Sequence, residues 1–475
     1  MFTHSVLKSD NINSNLKDML SEILDTEAMK SLELDSNLSK TQKKAFHLFK
    51  EGKNILLIGS AGVGKSLLLK TMEEYNKVET NKTMYLTSTT GISSYNLNGV
   101  TIHSLLGIGT GDLEKQALLK KVCRKPLYRD RIINIDVLVI DEASMLSAEL
   151  FEKLDYICQN IKRSKAFFGG IQLVLSMDPL QLVAIFNNNK EIYKSMDERL
   201  IVESPVFNKN FKKNDNIIVL KENFRQKNDP TFINLLSRIR DGTFTTDDID
   251  LLNTRKVLPK NPSDHVHLVS TNKKAQAIND SELSKIKTEQ RTFTSTFNST
   301  GKDKEIKELL TKELQFQFNQ KGIRELTLKT GCRVMLIKNL DIQAGLVNGA
   351  LGTITEFYKD CNDTFIPLVQ FDGKGNTPGI KKLISPVTWD LEIQNCKGSA
   401  IQLPLMLAYS LTISKSQSLT LDSAVLDLSD CWVDSQVYVA LSRLRSLDSM
   451  YLKSFNPIKI TVNRVMKSYI DNLEK

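Results

Sequence analysis

Six cysteines and five histidines occur in 475 residues, and none stands at metal-ligand or redox spacing. Cys123, Cys158, Cys332, Cys361, Cys396 and Cys431 form no Cys-x-x-Cys, and no His-Glu-x-x-His is present. These absences exclude a zinc ribbon and a disulfide framework, so no zinc is expected and a reducing, intracellular compartment fits. No apolar run approaches the ~18 residues that cross a bilayer, so no membrane contact is expected. Aromatics make up only 7% of the chain, and no base-stacking residue can be singled out from them. The leader, residues 1–37, has no arginine and carries Asp10, Asp18, Glu22, Asp25, Glu27 and Glu33, unlike a signal or transit peptide. Its Leu16, Leu20, Ile23 and Leu24 are spaced for a short amphipathic helix packed on the body.

What is present is enough chain for two to four packed units of ordinary soluble composition. A net charge of +9 suits a polyanionic partner, although simple solubility accounts for it equally. From Leu38 to Ser204 near-continuous apolar runs (55–58, 84–86, 137–140, 171–175) alternate with helical stretches. Such runs suit a parallel sheet covered on both faces. A second α/β region is expected from about Ile217, taking in 265–269 and resuming at Leu405. Between them Gln290 to Glu325 is polar and partly helical over 303–318. From Leu326 to Lys397 short strands with turns at Gly331, Asn348-Gly349, Gly352 and Asp372-Gly373 predict a small inserted β-barrel, with 372–379 a hairpin tip. The expected division is 38–205, then 206–325 with 398–475, and the barrel at 326–397. The fold class is therefore α/β.

One stretch carries specific chemistry. Gly59, Ser60, Ala61, Gly62, Val63, Gly64, Lys65 and Ser66 spell G-x-x-x-x-G-K-S between an apolar strand and a helix. Glycines let backbone N–H groups approach phosphate oxygens, and the helix start adds positive potential. Lys65 is placed to reach the β- and γ-phosphates of ATP, and the Ser66 hydroxyl to ligate Mg²⁺. The strand at 137–140 delivers Asp141 and Glu142 to its carboxyl end, where ligands sit in open α/β sheets. Asp141 suits the metal and Glu142 the attacking water. Gln181, after the strand at 171–175, can sense the γ-phosphate, and the Gln42 amide matches the adenine edge.

Seven segments in order then resemble superfamily 1B DNA helicases of the Pif/RecD-like group, nearest its Pif branch. They are the phosphate loop, 101–104, Asp141-Glu142, 151–174, 222–226, 414–417 and 437–443, and 328–349 resembles that family's barrel. Met177, Ser418 and Val183-Ala184 depart from the family pattern, where Gly, Gly and paired prolines are usual. None of these removes a charged group. The resemblance implies two RecA-like motor domains around ATP, with Arg225 and Arg443 as arginine fingers from the wall opposite Lys65. It also implies 5′→3′ movement on single-stranded DNA and unwinding of forked duplex. DNA contacts fall on Thr87, Ser88, Thr89 and Gly91, on His103 and Ser104, and on Lys415, Ser416 and Gln417.

Between Gly107 and Arg131 lie Lys115, Lys120, Lys121, Arg124, Lys125, Arg129 and Arg131, either a solvated helix face or, by the resemblance, a wedge-type insertion touching the fork. The whole reads as an ATP-driven DNA helicase for replication, repair or recombination, monomeric in solution and able to pair on DNA. The alternatives are a translocase that does not unwind, a motor on RNA, or a degenerate binding module.

Overall fold

The computed structural model describes residues 38–474 apart from 91–92, 95–96, 110, 185–198, 213–214, 342–343, 345, 347–348, 360–363, 374–378, 394–395 and 418. The leader helix expected at 16–24, positions 374–378 of the hairpin tip, Gly91 and Ser418 lie outside these residues. Among them no helix is long and apolar enough to cross a membrane.

Helix α1 (Lys40–Lys50) starts at Ser39, where a capping box joins the Ser39 and Gln42 side chains to each other's backbone N–H. There follow β1 (Ile55–Gly59), α2 (Lys65–Glu79), β2 (Met84–Ser88), β3 (Val100–Thr101), α3 (Ile102–Leu106), α4 (Lys115–Cys123) and α5 (Pro126–Asn134). Then come β4 (Val137–Asp141), α6 (Ala148–Ile161), β5 (Gln172–Met177) and β6 (Ile217–Leu220). The strands form one sheet in the order β3-β2-β4-β5-β1-β6, parallel throughout. Every residue of β1, β4 and β5 is buried, as their unbroken apolar runs require.

Strand β6 corrects the expected boundary at 206. Ile217–Leu220 pairs with β1 and closes the first sheet, so the first unit runs to residue 220. An apolar IIVL strand reads the same whichever sheet it joins, and only the pairing partner decides.

The second unit holds α7 (Pro230–Asp241), β7 (Val266–Val269) and α8 (Asn272–Lys285). After an insertion it resumes with β18 (Ser410–Thr412), β19 (Ala424–Asp427), α10 (Gln436–Leu441), β20 (Met450–Ser454) and α11 (Arg464–Glu474). Its strands are parallel in the order β18-β7-β19-β20. These are the two RecA-like units. Helix α11 crosses back, and Met466 and Ile470 enter the first unit's core, with the Tyr469 ring 6.0 Å from that of Phe207.

The insertion is wider than 326–397. β8 (Gln290–Thr294) pairs with β10 (Glu325–Lys329), and β9 (Thr296–Thr300) with β16 (Cys396–Gln402), which also pairs with β15 (Val387–Ile393). A five-stranded antiparallel sheet holds β11 (Arg333–Leu336), β12 (Leu351–Lys359), β13 (Phe365–Phe371), β14 (Lys381–Leu383) and β17 (Leu405–Leu407) in the order β14-β13-β12-β11-β17. Among the described residues its hydrogen bonds leave β14 and β17 as edges and do not close a ring.

Helix α9 (Lys304–Lys321) begins at Asp303, which accepts the N–H groups of Glu305 and Ile306. Ile306, Leu310, Leu314 and Phe318 recur every fourth residue along one stripe. That stripe joins the same apolar cluster as Ile102, Leu105 and Leu106 of the first unit.

Candidate nucleotide and DNA sites

The phosphate loop leaves β1 at the sheet's carboxyl edge and enters α2. Gly62 and Gly64 hold φ of +83° and +81°, and a Cβ would lie 2.7 Å from Arg225 Cβ at Gly62 and 2.6 Å from Gln42 Nε2 at Gly64. Only glycine meets both demands. Lys65 Nζ folds back and donates to the carbonyls of Gly59 (2.7 Å) and Ser60 (3.1 Å).

A cleft of about 360 Å³ is lined by Ala61 to Leu67, Asp141, Glu142, Gln181, Phe224, Arg225, Thr420, Arg443 and Arg445. It therefore gathers the loop, the acidic pair and both expected arginines. Gln42 stands beside it, its amide donating to Val63 and Gly64 carbonyls at 3.4 Å each.

Glu142 holds left-handed backbone (φ 52°, ψ 39°), a conformation that β-branched and most other side chains avoid. Thr89 Oγ1 donates to its carbonyl at 3.1 Å. The side chain is 7% exposed, and burial first, then the neighbouring Asp141, push its carboxyl up to about 7. Burial also raises Asp141, against the opposing pull of neighbouring Ser176 and Lys65. Both acids thus lack full compensation, which suits a site that receives a cation together with its polyphosphate.

Across the cleft, Arg443 is 1% exposed, and its guanidinium donates to Val439 O (2.8 Å), Ser442 Oγ (2.8 Å) and Ser416 O (3.4 Å). Arg225 donates to Ser442 O at 2.7 Å. Burial, then Arg443, push Arg225 down to about 9, and burial lowers Arg443 too. Two crowded guanidiniums bonded to neutral acceptors are a receptor for an anion. Arg225 does not come from the far unit as expected. It lies just past β6, where Phe224 N–H donates to Gly62 O at 2.9 Å, and it reaches across to Ser442.

Several residues were missed from sequence. Asp178, fully buried, accepts from Arg240 of α7 (Nη2, 2.9 Å) and from Gln181 Nε2 (2.9 Å). Arg240, then Lys65 and last Gln181 hold its carboxyl below the usual range in spite of burial. Tyr438 takes the Ala61 N–H (3.2 Å) and points its hydroxyl at Asp178 Oδ2 (3.5 Å). Phe224 puts a half-exposed ring (47%) into the cleft. Tyr438 and Phe224 lie inside motifs already quoted, while nothing near Arg240 in sequence marks it.

The DNA residues divide. Thr87 and Ser88 are fully buried, their hydroxyls donating to Val139 O (2.6 Å) and Asp141 O (3.2 Å), so they fasten β2 to β4 and reach no surface. Ser416 is likewise buried and donates to Ile413 O at 2.7 Å. Gln417 is buried with its Nε2 unpartnered. Thr89, His103, Ser104 and Lys415 are half-buried. Burial lowers both His103 and Lys415. Lys120 and Lys121 are exposed on α4 and Arg124 just after it, with Lys121 Nζ donating to Ile108 O at 3.2 Å. Arg131 belongs to no such face. It is fully buried, donates to Leu105 O at 2.6 Å, and burial pushes it down to about 10.

Two parallel sheets meeting at a phosphate loop, with guanidiniums set against an acidic pair, define a P-loop nucleotide-binding protein of paired RecA-like units. Family models agree: "PIF1-like helicase" matches residues 37–250, and "DNA helicase Pif1, 2B domain" matches 315–357. The chain belongs to the PIF1-like helicase family. It is 31% identical to the Pif1 helicase structure from Candida albicans, covering 92% of this chain and 99% of that one at a TM-score of 0.69. Unliganded Pif1 from Bacteroides sp is 27% identical, with 92% and 97% covered and a TM-score of 0.72. Bacteroides Pif1 bound to ssDNA is also 27% identical, with 92% and 96% covered and a TM-score of 0.60. The ATP-dependent DNA helicase PIF1 of Saccharomyces cerevisiae is 30% identical over 90% of this chain, which spans 60% of that protein.

Proposed function

We propose that the chain is an ATP-dependent DNA helicase that moves 5′→3′ on single-stranded DNA and opens duplex during replication, repair or recombination. The observation that carries this is the pairing of Arg225 and Arg443 with Lys65, Asp141 and Glu142 around one cleft. In this reading the ATP phosphates rest on the loop, and Lys65 leaves the Gly59 and Ser60 carbonyls for the β- and γ-phosphates. The base lies against Phe224 near Gln42. Ser66 and Asp141 offer the hard oxygen donors that would hold Mg²⁺, and the ion when bound would neutralise charge on the phosphates. Glu142 takes a proton from the attacking water, and the two guanidiniums stabilise charge growing on the γ-phosphoryl group.

Arg443 also bonds Ser416 O, so loss of the γ-phosphate is felt in the 414–417 segment assigned to DNA. Opening a base-pair step costs about 1.4 kcal/mol, well within one hydrolysis. Thr89, His103, Ser104 and Lys415 line the track, and Lys120, Lys121 and Arg124 meet the fork. The two motor units with a β-rich insertion, a monomer in solution that pairs on DNA, and action inside the cell belong to the same reading.

The test is strand displacement with ATP on 5′-tailed and 3′-tailed DNA duplexes, and on matched RNA. Displacement of the 5′-tailed DNA alone is expected. Displacement only from 3′ tails refutes the polarity, and DNA-stimulated ATPase without displacement makes the protein a translocase.

A further inference from the structure

Ser104, expected to meet DNA, is already occupied. Its hydroxyl donates to Glu313 Oε2 on insertion helix α9, and the Thr101 backbone N–H donates to Glu313 Oε1 at 3.4 Å. Gln317, one turn on, donates to Glu313 Oε1 (3.0 Å) and to Gly99 O (3.2 Å). Glu313 is only 4% exposed, and these three donors are neutral. A buried carboxylate is costly to desolvate unless it is well paired, so its place on this small donor set needs a reason.

We propose that Glu313 is an internal stand-in for a DNA phosphate. Its carboxylate takes the anion-accepting donors of Thr101 and Ser104, and α9 must leave the first unit before a strand can cross there. The proposal rests on the reading above that this face carries DNA. A phosphate oxygen and a carboxylate oxygen ask for the same N–H and O–H donors, so the two occupants exclude each other.

Two further observations agree. The contact is not fully packed, since a cavity of about 210 Å³ opens beside it between Asn98, Gly99, Gln317, Lys338 and Trp389. The chain also superposes better on the unliganded Bacteroides relative (TM-score 0.72) than on the one bound to ssDNA (0.60).

If the docked arrangement dominates nine to one, apparent affinity for DNA falls about tenfold, because only the undocked fraction binds. The experiment measures binding of fluorescein-labelled oligo(dT) by anisotropy in wild type, Glu313→Ala, Glu313→Gln, Gln317→Ala and Lys415→Ala. Glu313→Ala should bind about tenfold tighter, with Glu313→Gln and Gln317→Ala shifted the same way, and Lys415→Ala should weaken binding. If the three helix variants stay within twofold of wild type while Lys415→Ala binds more weakly, the stand-in is refuted and the DNA track survives. If Lys415→Ala is unchanged as well, both fall. In the unmodified chain, adding oligo(dT) should raise hydrogen exchange across 304–321. Protection there that DNA leaves unaltered overturns the proposal without any variant.

Discussion

Replacing Glu142 with Gln is expected to stabilise the protein while removing its hydrolysis of ATP. Its carboxyl is raised from an ordinary 4.5 to about 7, because burial and Asp141 both oppose the anion. At ~1.36 kcal/mol per pH unit the difference amounts to about 3 kcal/mol. For a raised carboxyl the native state holds its proton longer than the unfolded chain does. The stability this confers is therefore fully present below about 4.5 and is lost as pH climbs through about 7. Above that the folded protein must ionise a buried acid, and Glu142→Gln removes the demand.

In nucleotide-free protein at pH 8, Glu142→Gln should raise the first unit's unfolding free energy by about 2–3 kcal/mol, roughly 4–12 °C in midpoint for a unit of this size. The gain should shrink steadily as pH falls toward 5. Denaturant titration at pH 5, 6, 7 and 8 measures it, and DNA-stimulated turnover is followed in parallel. The variant should show no turnover at any of these pH values, because it lacks the base. An equal or lower stability of Glu142→Gln at pH 8, or a gap that does not narrow with acid, refutes the reasoning.

Lys65→Ala should abolish ATPase and unwinding while oligo(dT) binding persists, as filter binding beside a phosphate-release assay would show. Arg443→Ala and Arg225→Ala should each cut turnover by ~10³ or more with nucleotide affinity changed far less, and a loss below tenfold makes that arginine structural. Arg240→Ala strands the buried Asp178 carboxylate and should cost about 3–5 kcal/mol, read as a lowered denaturant midpoint. Replacing Lys120, Lys121, Arg124 and Lys125 together with Ala should flatten the log–log salt dependence of fork binding by roughly 1–3, and an unchanged slope makes them a solvated face.

The cleft was legible because its chemistry is local. A strand, a glycine-rich loop and a helix start are contiguous from 55 to 69, and Asp141-Glu142 ends an unmistakable apolar strand. What was not legible depends on partners far away in the chain. Strand β6 could have belonged to either sheet until its pairing with β1 was seen. Arg131 looked like one more cation on a basic helix, yet it turns inward to the Leu105 carbonyl of α3 and lies over the Tyr128 ring. Thr87 and Ser88 have hydroxyls that suit phosphate, but in a central strand those hydroxyls find neighbouring carbonyls first. Arg240 and Glu313 sit on helices whose local sequence says only that they are helices. Their meaning comes from what each helix touches, 62 residues away for Asp178 and 209 for Ser104.

Helix α11 has a consequence for biosynthesis. Met466 and Ile470 complete the core of the unit that ends its last strand at Leu220, 250 residues before Ile470. At ~5–20 residues per second the ribosome needs about 12–50 s to cross that interval. Throughout it the Phe207 face waits uncovered, and the first unit closes its apolar surface only after the second has been made. A nascent chain of this design asks for chaperone cover late in translation, at a stage when its nucleotide loop has long been synthesised.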